Sequence, residues 1–479
     1  MKKFLLLLFL AFFWQLSHAN NVSISNVTIN GSDIGFDLSW DNSWKDAVNY
    51  DAVWVFIKYR QPNGDWLHAT LNSTGHSFPA GASFELPSDF KGLFVFRASN
   101  GAGTNTFTSC NIRWNNLADG IANTANIQVK VSGIEMVKIP TGNFYLGDGG
   151  SFGRFIQQTS TKTVQITDQP VIVRTTANSD DAQIKQTGIL VDGDDGIDAN
   201  GITTINNATY PTGYQGFYIM KYETSQGQYA DFLNALTSVQ ASSRIQTVIS
   251  NYPISGFHPN YAANEPERAM AYLNWSDGCA YADWAGLRPM SELEFEKASR
   301  GGLFPVPGEF AWGSVNIHNS VYNFVNPGQA NESISNPGQG TGNALYNATF
   351  NNIGMPARCG IFASSAINPN REETGASFYG VMELSGNAFE RCVTLGTLAG
   401  RSFNGSHGDG ALTNDGFADN SGWPGYVGGA ISTSNGVGLR GGAFNYFRET
   451  LQVSSRYYAA NSDNLRNSSY GFRAVRTAN

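Results

Sequence analysis

The stretch of residues 301–441 is the feature that most constrains how this chain can fold. It is rich in glycine, asparagine, serine and proline, and it shows few periodic apolar patterns. So long an irregular region is unusual inside a compact domain, because its backbone polar groups need partners that regular helices and sheets do not supply. We therefore expect bound metal or disulfides to help hold it.

Residues 440–476, which follow, predict the closing strands and a loop of the same domain. Gly441 and Gly442 permit a tight backbone, while Phe472 and Val475 can fill a core from short strands. Polar and aromatic residues without a helical period lie between these ends. A scaffold usually carries its function on such an anchored irregular loop.

The first residues indicate export. Lys2 and Lys3, an apolar run and the small-x-small site Ser17-His18-Ala19 make residues 1–19 a secretory signal. We expect a secreted, extracellular or cell-surface protein without membrane insertion, because no later apolar run reaches the roughly 20 residues that span a bilayer. A formal net charge of −8 disfavours nucleic acid as a partner.

Four cysteines stand at positions 110, 279, 359 and 392. In an oxidising compartment they allow three disulfide pairings, among which the sequence does not choose. Since none has CxxC or metal-ligand spacing, structural disulfides or buried thiols are expected rather than chemistry.

Two folded units are expected after the signal segment. Residues 20–131 carry short alternating strands and an Asn63-Gly64 turn, which predict an all-β sandwich of the immunoglobulin or fibronectin type. Residues 132–479 mix strands with short helices and predict an α+β domain, with a polar insertion at about residues 148–211. Residues 192–198 resemble a calcium loop only loosely, so a solvated turn is expected there.

Helix signals lie in the centre of the second unit. Ser276 is expected to cap the helix that carries Tyr281 and Trp284, and Ser291 with Glu294 forms a capping box. Acidic residues in the first turns of a helix offset the macrodipole. A structural role is therefore expected for the carboxylates of Glu292, Glu294 and Glu296, rather than acid–base chemistry.

One spot in the irregular region suggests a cation. Glu383 and Glu390 flank a turn at Gly386, so their carboxylates and the carbonyls of the turn could converge on one hard metal ion.

Four motifs, taken in order, make residues 136–476 resemble the formylglycine-generating enzyme, or sulfatase-modifying-factor, domain. They are Met136-Val137-Lys138-Ile139-Pro140-Thr141-Gly142-Asn143-Phe144, Trp284-Ala285-Gly286-Leu287-Arg288-Pro289-Met290-Ser291-Glu292, Gly386-Asn387-Ala388-Phe389-Glu390, and Arg440-Gly441-Gly442 with Gly471-Phe472-Arg473. The resemblance implies a loop-rich relative of the C-type lectin fold.

The resemblance also implies calcium. The metal segment of the family maps onto the side chains of Glu383 and Glu390 and the backbone carbonyls of Gly386 and Ala388. Glu383 stands where the family typically has an amide, so the charge differs while the oxygen chemistry is kept. A second site of the family would fall near Asn323 and Phe324.

The chain departs from the family where catalysis takes place. Family enzymes oxidise a substrate cysteine with a copper ion held by two cysteines shortly after the Arg-Gly-Gly motif. Residues 445–453 contain no cysteine, and the hard phenol of Tyr446 is a poor ligand for soft Cu(I). The six histidines show no clustered His-x-x-x-His for the related iron chemistry. We therefore expect no copper and no cysteine oxidation by the known route.

Three functions remain open. The first is a secreted, non-catalytic member that acts in extracellular binding or assembly, as an adhesin, a filament subunit or an envelope-complex subunit; its partner would be a protein or glycan at the cell surface, or copies of itself. The second is a ligand-display protein diversified by a retroelement, because the varied loop of such proteins ends in Gly-Phe-Arg.

The third is an enzyme of a divergent, non-copper type, and Ser406, His407 and Asp409 would be its starting point. Triad members come from separate elements, so a glycine-rich turn explains these residues better. For the binding functions, the predicted ligand-binding residues of the final loop are Asn445, Tyr446, Arg448, Arg456, Tyr457, Tyr458 and Asn461.

Overall fold

A computed structural model describes residues 21–148, 155–157, 163–169, 171–175, 189–191, 202–204, 209–246 and 253–479. The predicted signal segment and the acidic turn at residues 192–198 lie outside the described residues, as does much of the predicted insertion. No helix among the described residues is long and apolar enough to cross a membrane.

The described residues are mostly sheet with few helices. The strands are β1 (Ser23–Asn30), β2 (Asp33–Lys45), β3 (Asp51–Arg60), β4 (Leu67–His68), β5 (Ala82–Glu85), β6 (Leu93–Arg97), β7 (Gly101–Arg113), β8 (Gln128–Ile139), β9 (Phe144–Leu146), β10 (Phe155–Gln157), β11 (Val164–Ile166), β12 (Ile172–Thr175), β13 (Ile189–Val191), β14 (Ile202–Thr204), β15 (Phe217–Met220), β16 (Ile254–Ser255), β17 (Ala262–Ala263), β18 (Arg288–Pro289), β19 (Phe324–Val325), β20 (Ser333–Ile334), β21 (Phe389–Val393), β22 (Tyr426–Val427), β23 (Ala430–Ile431), β24 (Val437–Arg440), β25 (Tyr470–Gly471) and β26 (Ala474–Thr477). The helices are α1 (Gln226–Asn234), α2 (Ser238–Arg244), α3 (Trp275–Trp284), α4 (Glu292–Arg300), α5 (Ile361–Ser365) and α6 (Leu398–Arg401), with a 3₁₀ turn at Arg448–Leu451.

The largest sheet of the described part of the chain has eight strands, in the order β18-β26-β15-β8-β3-β6-β5, with β4 paired to β3. β8 joins its two halves: it pairs with β3 over the register Gln128 to Val137, and with β15 from Met136 to Ile139. The strands on either side of residue 131 therefore belong to one hydrogen-bonded sheet. A domain boundary at that residue stays a prediction.

A second sheet, β1-β2-β7, packs over β3, β6 and β8. The alternate residues Ile34, Phe36, Leu38 and Trp40 of β2 are buried against this partner, as the alternation in the sequence predicts. β3 is buried on both faces, which explains its continuous apolar run. Its other face packs against α3, where Phe56 meets Trp284.

One of the two predicted helix caps is confirmed: Ser291 caps α4 in a capping box with Glu294. Ser225 caps α1 in a second capping box, with Gln228. The cap predicted for α3 was wrong: Asn274, not Ser276, accepts from the backbone N–H of Asp277. Asn274 has the extended backbone that a cap requires, and the helix begins directly after it.

A small sheet, β24-β21-β25, anchors the final loop at both ends. β21 pairs antiparallel with β24, where Glu390 faces Arg440, and parallel with β25, where Phe389 faces Tyr470. Residues 441–469 therefore leave and return on the two sides of one buried strand.

Candidate functional site

The final loop begins at a turn that only glycine accepts. Gly441 and Gly442 have φ values of +87° and +74°. A side chain at Gly442 would also collide with Leu451. The Arg-Gly-Gly motif thus fixes the direction in which the chain leaves β24.

A buried ion network lies beneath this loop and ties it to α4. Glu292 accepts hydrogen bonds from Arg440 Nη1 at 2.9 Å and from Arg456 Nε at 2.8 Å, and Glu296 accepts from Arg440 Nη2 at 2.9 Å. Glu294 pairs in the same way with Arg288, at 2.6 Å. These contacts give the three carboxylates of α4 the structural role predicted for them.

The predicted ligand-binding residues are therefore not all at the surface. Arg456 is buried, and its guanidinium binds Glu292, so it positions the loop and does not reach solvent. Asn461 is half-buried, and its Oδ1 accepts from the backbone N–H of Asp463. Of the predicted set only Asn445 and Arg448 are exposed, while Tyr446, Tyr457 and Tyr458 are half-buried like Asn461.

Four aromatic rings meet in this loop, and we call them the tyrosine surface: the exposed Phe447 and the half-buried Tyr446, Tyr457 and Tyr458. Their rings meet edge to face: Tyr457 lies 4.7 Å from Tyr458 and 5.7 Å from Phe447, and Tyr446 lies 5.7 Å from Tyr458. The buried ring of Phe389 supports Tyr446 from below at 4.6 Å. Three of these rings were predicted. Phe447 was missed, although it is 41 % exposed.

Two polar residues flank the tyrosine surface. Asn445 is exposed, and its Oδ1 accepts from Ser469 Oγ at 2.8 Å. Arg448 is exposed, donates to the carbonyl of Val315 and lies 5.7 Å over the ring of Phe310. Together the surface offers rigid rings, an amide and a cation, the side chains that recognition sites favour.

The turn at Gly386 carries the predicted calcium ligands. Glu383 Oε1 accepts from the backbone N–H of Gly360 at 2.9 Å, and Glu390 Oε1 accepts from Arg473 Nε at 2.8 Å. The second oxygen of each carboxylate is buried and has no hydrogen-bond partner among the described residues. Burial raises the pKa of Glu383 to about 7.

Two buried carboxylate oxygens without partners are groups that a hard cation would satisfy. Within the described ranges no three His, Cys, Asp or Glu side chains form a metal-binding group. A calcium ion held by Glu383 and Glu390 with the carbonyls of Gly386 and Ala388 stays a prediction, and Arg473 already pairs with Glu390 at this turn.

Sequence reasoning missed Glu223 beside this turn. Its carboxylate accepts from the backbone N–H of Ala388 at 3.2 Å and from Asn387 Nδ2 at 3.1 Å. Burial raises its pKa well above the usual value. It lies more than a hundred residues earlier in the chain, so no local pattern could have pointed to it.

The second predicted calcium position, at Asn323 and Phe324, offers fewer groups that could bind an ion. Asn323 precedes β19 and is exposed, and its carbonyl already accepts from the backbone N–H of Ser335. Phe324 pairs with Ile334 in a two-stranded hairpin.

All four cysteines lie in the described part of the chain, and all are buried free thiols rather than disulfides. Cys392 in β21 packs against Val475 in the core, and burial raises its pKa well above the usual value. These positions agree with the buried-thiol alternative.

Ser406 and His407 are each engaged elsewhere. Ser406 Oγ lies within hydrogen-bond distance of Asn404 Oδ1 and Asn420 Oδ1, and His407 Nε2 accepts from the backbone N–H of Thr477 at 3.0 Å. Asp409 closes a turn by accepting from the N–H of Ala411. These contacts match the expected glycine-rich turn.

Comparison with known proteins finds one matching family model and several similar enzymes. The model of the sulfatase-modifying factor enzyme 1-like domain matches residues 121–478. The formylglycine-generating enzyme of Bos taurus is 26 % identical over 193 residues, which is 34 % of this chain and 46 % of that enzyme. The enzyme of Mus musculus is 26 % identical over 156 residues, 26 % of this chain and 40 % of the relative.

The formylglycine-generating enzyme of Streptomyces coelicolor is 44 % identical over 48 residues, 10 % of this chain and 15 % of its own. The chain thus spans less than half the length of these curated relatives. Among solved structures, that of PvdO from Pseudomonas aeruginosa gives a TM-score of 0.33 at 16 % identity, covering 72 % of this chain and 94 % of that one.

Proposed function

Because this chain belongs to the family of sulfatase-modifying factor enzyme 1-like domains, we propose that it is a secreted, non-catalytic member that binds outside the cell. The partner would be a protein or a glycan at the cell surface, or a further copy of this chain. Residues 1–19 would direct export, and residues 20–131 would serve as an immunoglobulin- or fibronectin-type spacer.

The observation that carries this proposal is the tyrosine surface. The resemblance implies that a family enzyme would hold copper with two cysteines in this loop. Residues 445–453 of this chain contain no cysteine. Aromatic rings present large contact areas at a small entropic cost, because each has only two rotatable side-chain bonds. The ion network on Glu292 holds the loop below these rings, so the surface is ordered before a partner arrives.

Substituting the two outer rings tests this function. We expect Phe447→Ala with Tyr457→Ala to weaken retention of the purified protein on washed cells of its source organism at least about tenfold, since aromatic anchors dominate binding energy. Phe257→Ala is the matched control, because this ring is 75 % exposed outside the loop. Equal retention of both variants would argue against the tyrosine surface.

Calcium is the second element of the proposal. We expect chelation to lower the thermal midpoint, because an ion bound only by the folded state adds about 2.7 kcal/mol at a hundredfold excess over its Kd. The thermal midpoint should no longer differ between calcium and chelator in Glu390→Gln. It should still differ in Glu449→Gln, which changes an acidic residue of the 3₁₀ turn. A calorimetric titration of the wild type that shows no calcium binding would contradict this.

A further inference from the structure

The strand β8 has an open edge along its first half. β15 pairs with β8 only over residues 136–139, and Lys221 adds one hydrogen bond to the carbonyl of Glu135. The chain then turns away from the sheet and enters α1. On the other side of β8, β3 stays paired as far as Gln128. In the described part of the chain, residues 128–134 of β8 therefore have a neighbouring strand on one side only.

The backbone groups of β8 alternate between β3 and this open edge. Lys138 donates to the carbonyl of Tyr50, the residue before β3, so its N–H points towards β3. The register between β3 and β8 has no shift, and successive residues of a strand turn their N–H and C=O groups to opposite sides. The backbone groups of Val129, Val131 and Gly133 thus point to the open edge. No hydrogen bond to another described residue occupies them.

The edge borders a groove between β1 and α1, with a volume of about 410 Å³. Gly133 is half-buried, and since it has no side chain, its exposed surface is main chain. Val129 is half-buried as well. A row of unpaired N–H and C=O groups at a sheet edge is a template for a further strand. The groove therefore gives an extended peptide access to this edge.

The two walls of the groove differ in chemistry. A side chain built at Gly133 would meet the half-buried Val22 and Ile24, so the odd-numbered residues of β8 face β1. Lys130 binds Asp231 of α1 at 3.1 Å, so the even-numbered residues face α1. The charges of Lys130 and Asp231 offset each other. The segment that fits is therefore uncharged, with apolar side chains towards β1 alternating with neutral polar ones towards α1.

The volume of the groove suits one strand. With a rise of about 3.3 Å per residue, about 4.8 Å between strands and about 10 Å between sheets, one strand residue fills about 160 Å³. The groove thus holds the two or three central residues of a single strand, as about 410 Å³ allows. Every strand that the structure describes is already paired within a sheet. A second copy of this chain offers no free strand among these residues, so the occupant comes from another protein.

We propose that the open edge of β8 binds an extended, uncharged peptide segment of a partner protein by strand addition. The segment exchanges main-chain hydrogen bonds with Gly133 and Val129, and its apolar side chains lie on Val22 and Ile24. In this mode of recognition the main-chain bonds provide affinity and the alternate side chains provide selectivity. The site is separate from the tyrosine surface, so either can fail without the other.

Amide hydrogen exchange of the whole protein, followed by NMR at single residues, tests the proposal. In the free protein the amides of Val129 and Gly133 should exchange faster than those of Lys130 and Ser132, which donate towards β3. The probe is acetyl-Val-Thr-Val-Thr-Val-amide at about 2 mM, because so short a segment binds weakly. We expect it to slow exchange at Val129 and Gly133 at least about threefold, since strand addition gives both amides an acceptor.

Two matched pairs complete the test. The peptide acetyl-Val-Thr-Pro-Thr-Val-amide lacks the central N–H and should protect neither amide. In the protein, Val129→Pro removes a donor at the open edge but none that faces β3, and it should weaken protection of Gly133 severalfold. Val129→Ala keeps this donor and should bind like the wild type.

Four results would overturn the proposal. The first is that Val129 and Gly133 in the free protein exchange as slowly as Ser132. The second is equal protection by the proline peptide, and the third is equal binding by Val129→Pro and Val129→Ala. The fourth is protection that grows with protein concentration in the absence of peptide, which would make a second copy of this chain the occupant.

Discussion

Glu292→Ala is expected to lower the free energy of unfolding by about 3–5 kcal/mol, the range found when one partner of a buried ion pair is removed. Glu292 is the shared acceptor of Arg440 and Arg456, and all three side chains are at most 1 % exposed. It also accepts from the backbone N–H of Leu395 at 2.6 Å. The substitution removes the carboxylate that Arg456 and Arg440 share, leaves Arg440 with Glu296 alone, and weakens the support of the final loop.

Urea titration followed by tryptophan fluorescence measures this loss. Asp33→Ala is the control, because its pair with Arg113 is open to solvent, with side chains 36 % and 42 % exposed, and surface pairs contribute about 0–1 kcal/mol. A loss for Glu292→Ala as small as that of the control would mean that the network does not hold the loop.

The difference in unfolding free energy between wild type and Glu292→Ala should also depend on pH. Burial alone would raise the pKa of Glu292, but Arg456 and Arg440 outweigh it and lower this pKa below the usual value. The contribution of Glu292 is therefore complete above the unfolded pKa of about 4.3 and is lost as the pH falls through the folded pKa. Wild type and variant should converge in acid.

Lys221→Met is expected to cost about 3 kcal/mol or more at pH 8, because it removes the cation between two buried carboxylates. Lys221 Nζ lies 2.6 Å from Glu135 in β8 and 3.7 Å from Asp51 in β3. The three side chains are at most 5 % exposed. They join the strand shared by both halves of the large sheet to the end of β15.

This variant should regain stability in mild acid. Burial raises the pKa of Glu135 to about 7 even with Lys221 present. A carboxyl whose folded pKa exceeds the unfolded value takes up a proton on folding, so its contribution to stability falls as the pH rises between about 4.3 and 7. Without Lys221 the folded pKa of Glu135 rises further, so this pH range extends to higher pH. The stability of the variant should therefore be closer to that of the wild type at pH 5 than at pH 8.

Denaturation curves at the two pH values check this expectation. Lys130→Met, at an exposed pair, should change stability by less than about 1 kcal/mol at either pH. A loss for Lys221→Met that grows as the pH is lowered would contradict the role given to Glu135.

Local features of the fold were predictable from the sequence. The buried strand β3, the capping box of Ser291 with Glu294, and the anchored ends of the final loop all follow from short patterns. The cap of α3 was misassigned because two polar residues compete there. The pattern Asn274 to Asp277 was present, and its backbone geometry decided between them.

The parts of the site that were not predictable depend on distant partners. Arg456 was expected at the surface because the sequence around it is polar, yet its partner Glu292 lies 164 residues away. Glu223 reaches Ala388 across 165 residues. Such contacts exist only after the sheets have assembled, so neither periodicity nor spacing indicates them.

The position of β26 limits the order in which this chain can fold. This strand lies inside the large sheet, between β18 and β15, and pairs Thr477 with Phe217. β15 and β8 can meet early, but β18 can join the sheet only through residues made almost two hundred positions later. Pairings of such long range slow the search for the native topology. The sheet therefore stays incomplete, with an open edge on β15, until residues 474–477 have been synthesised.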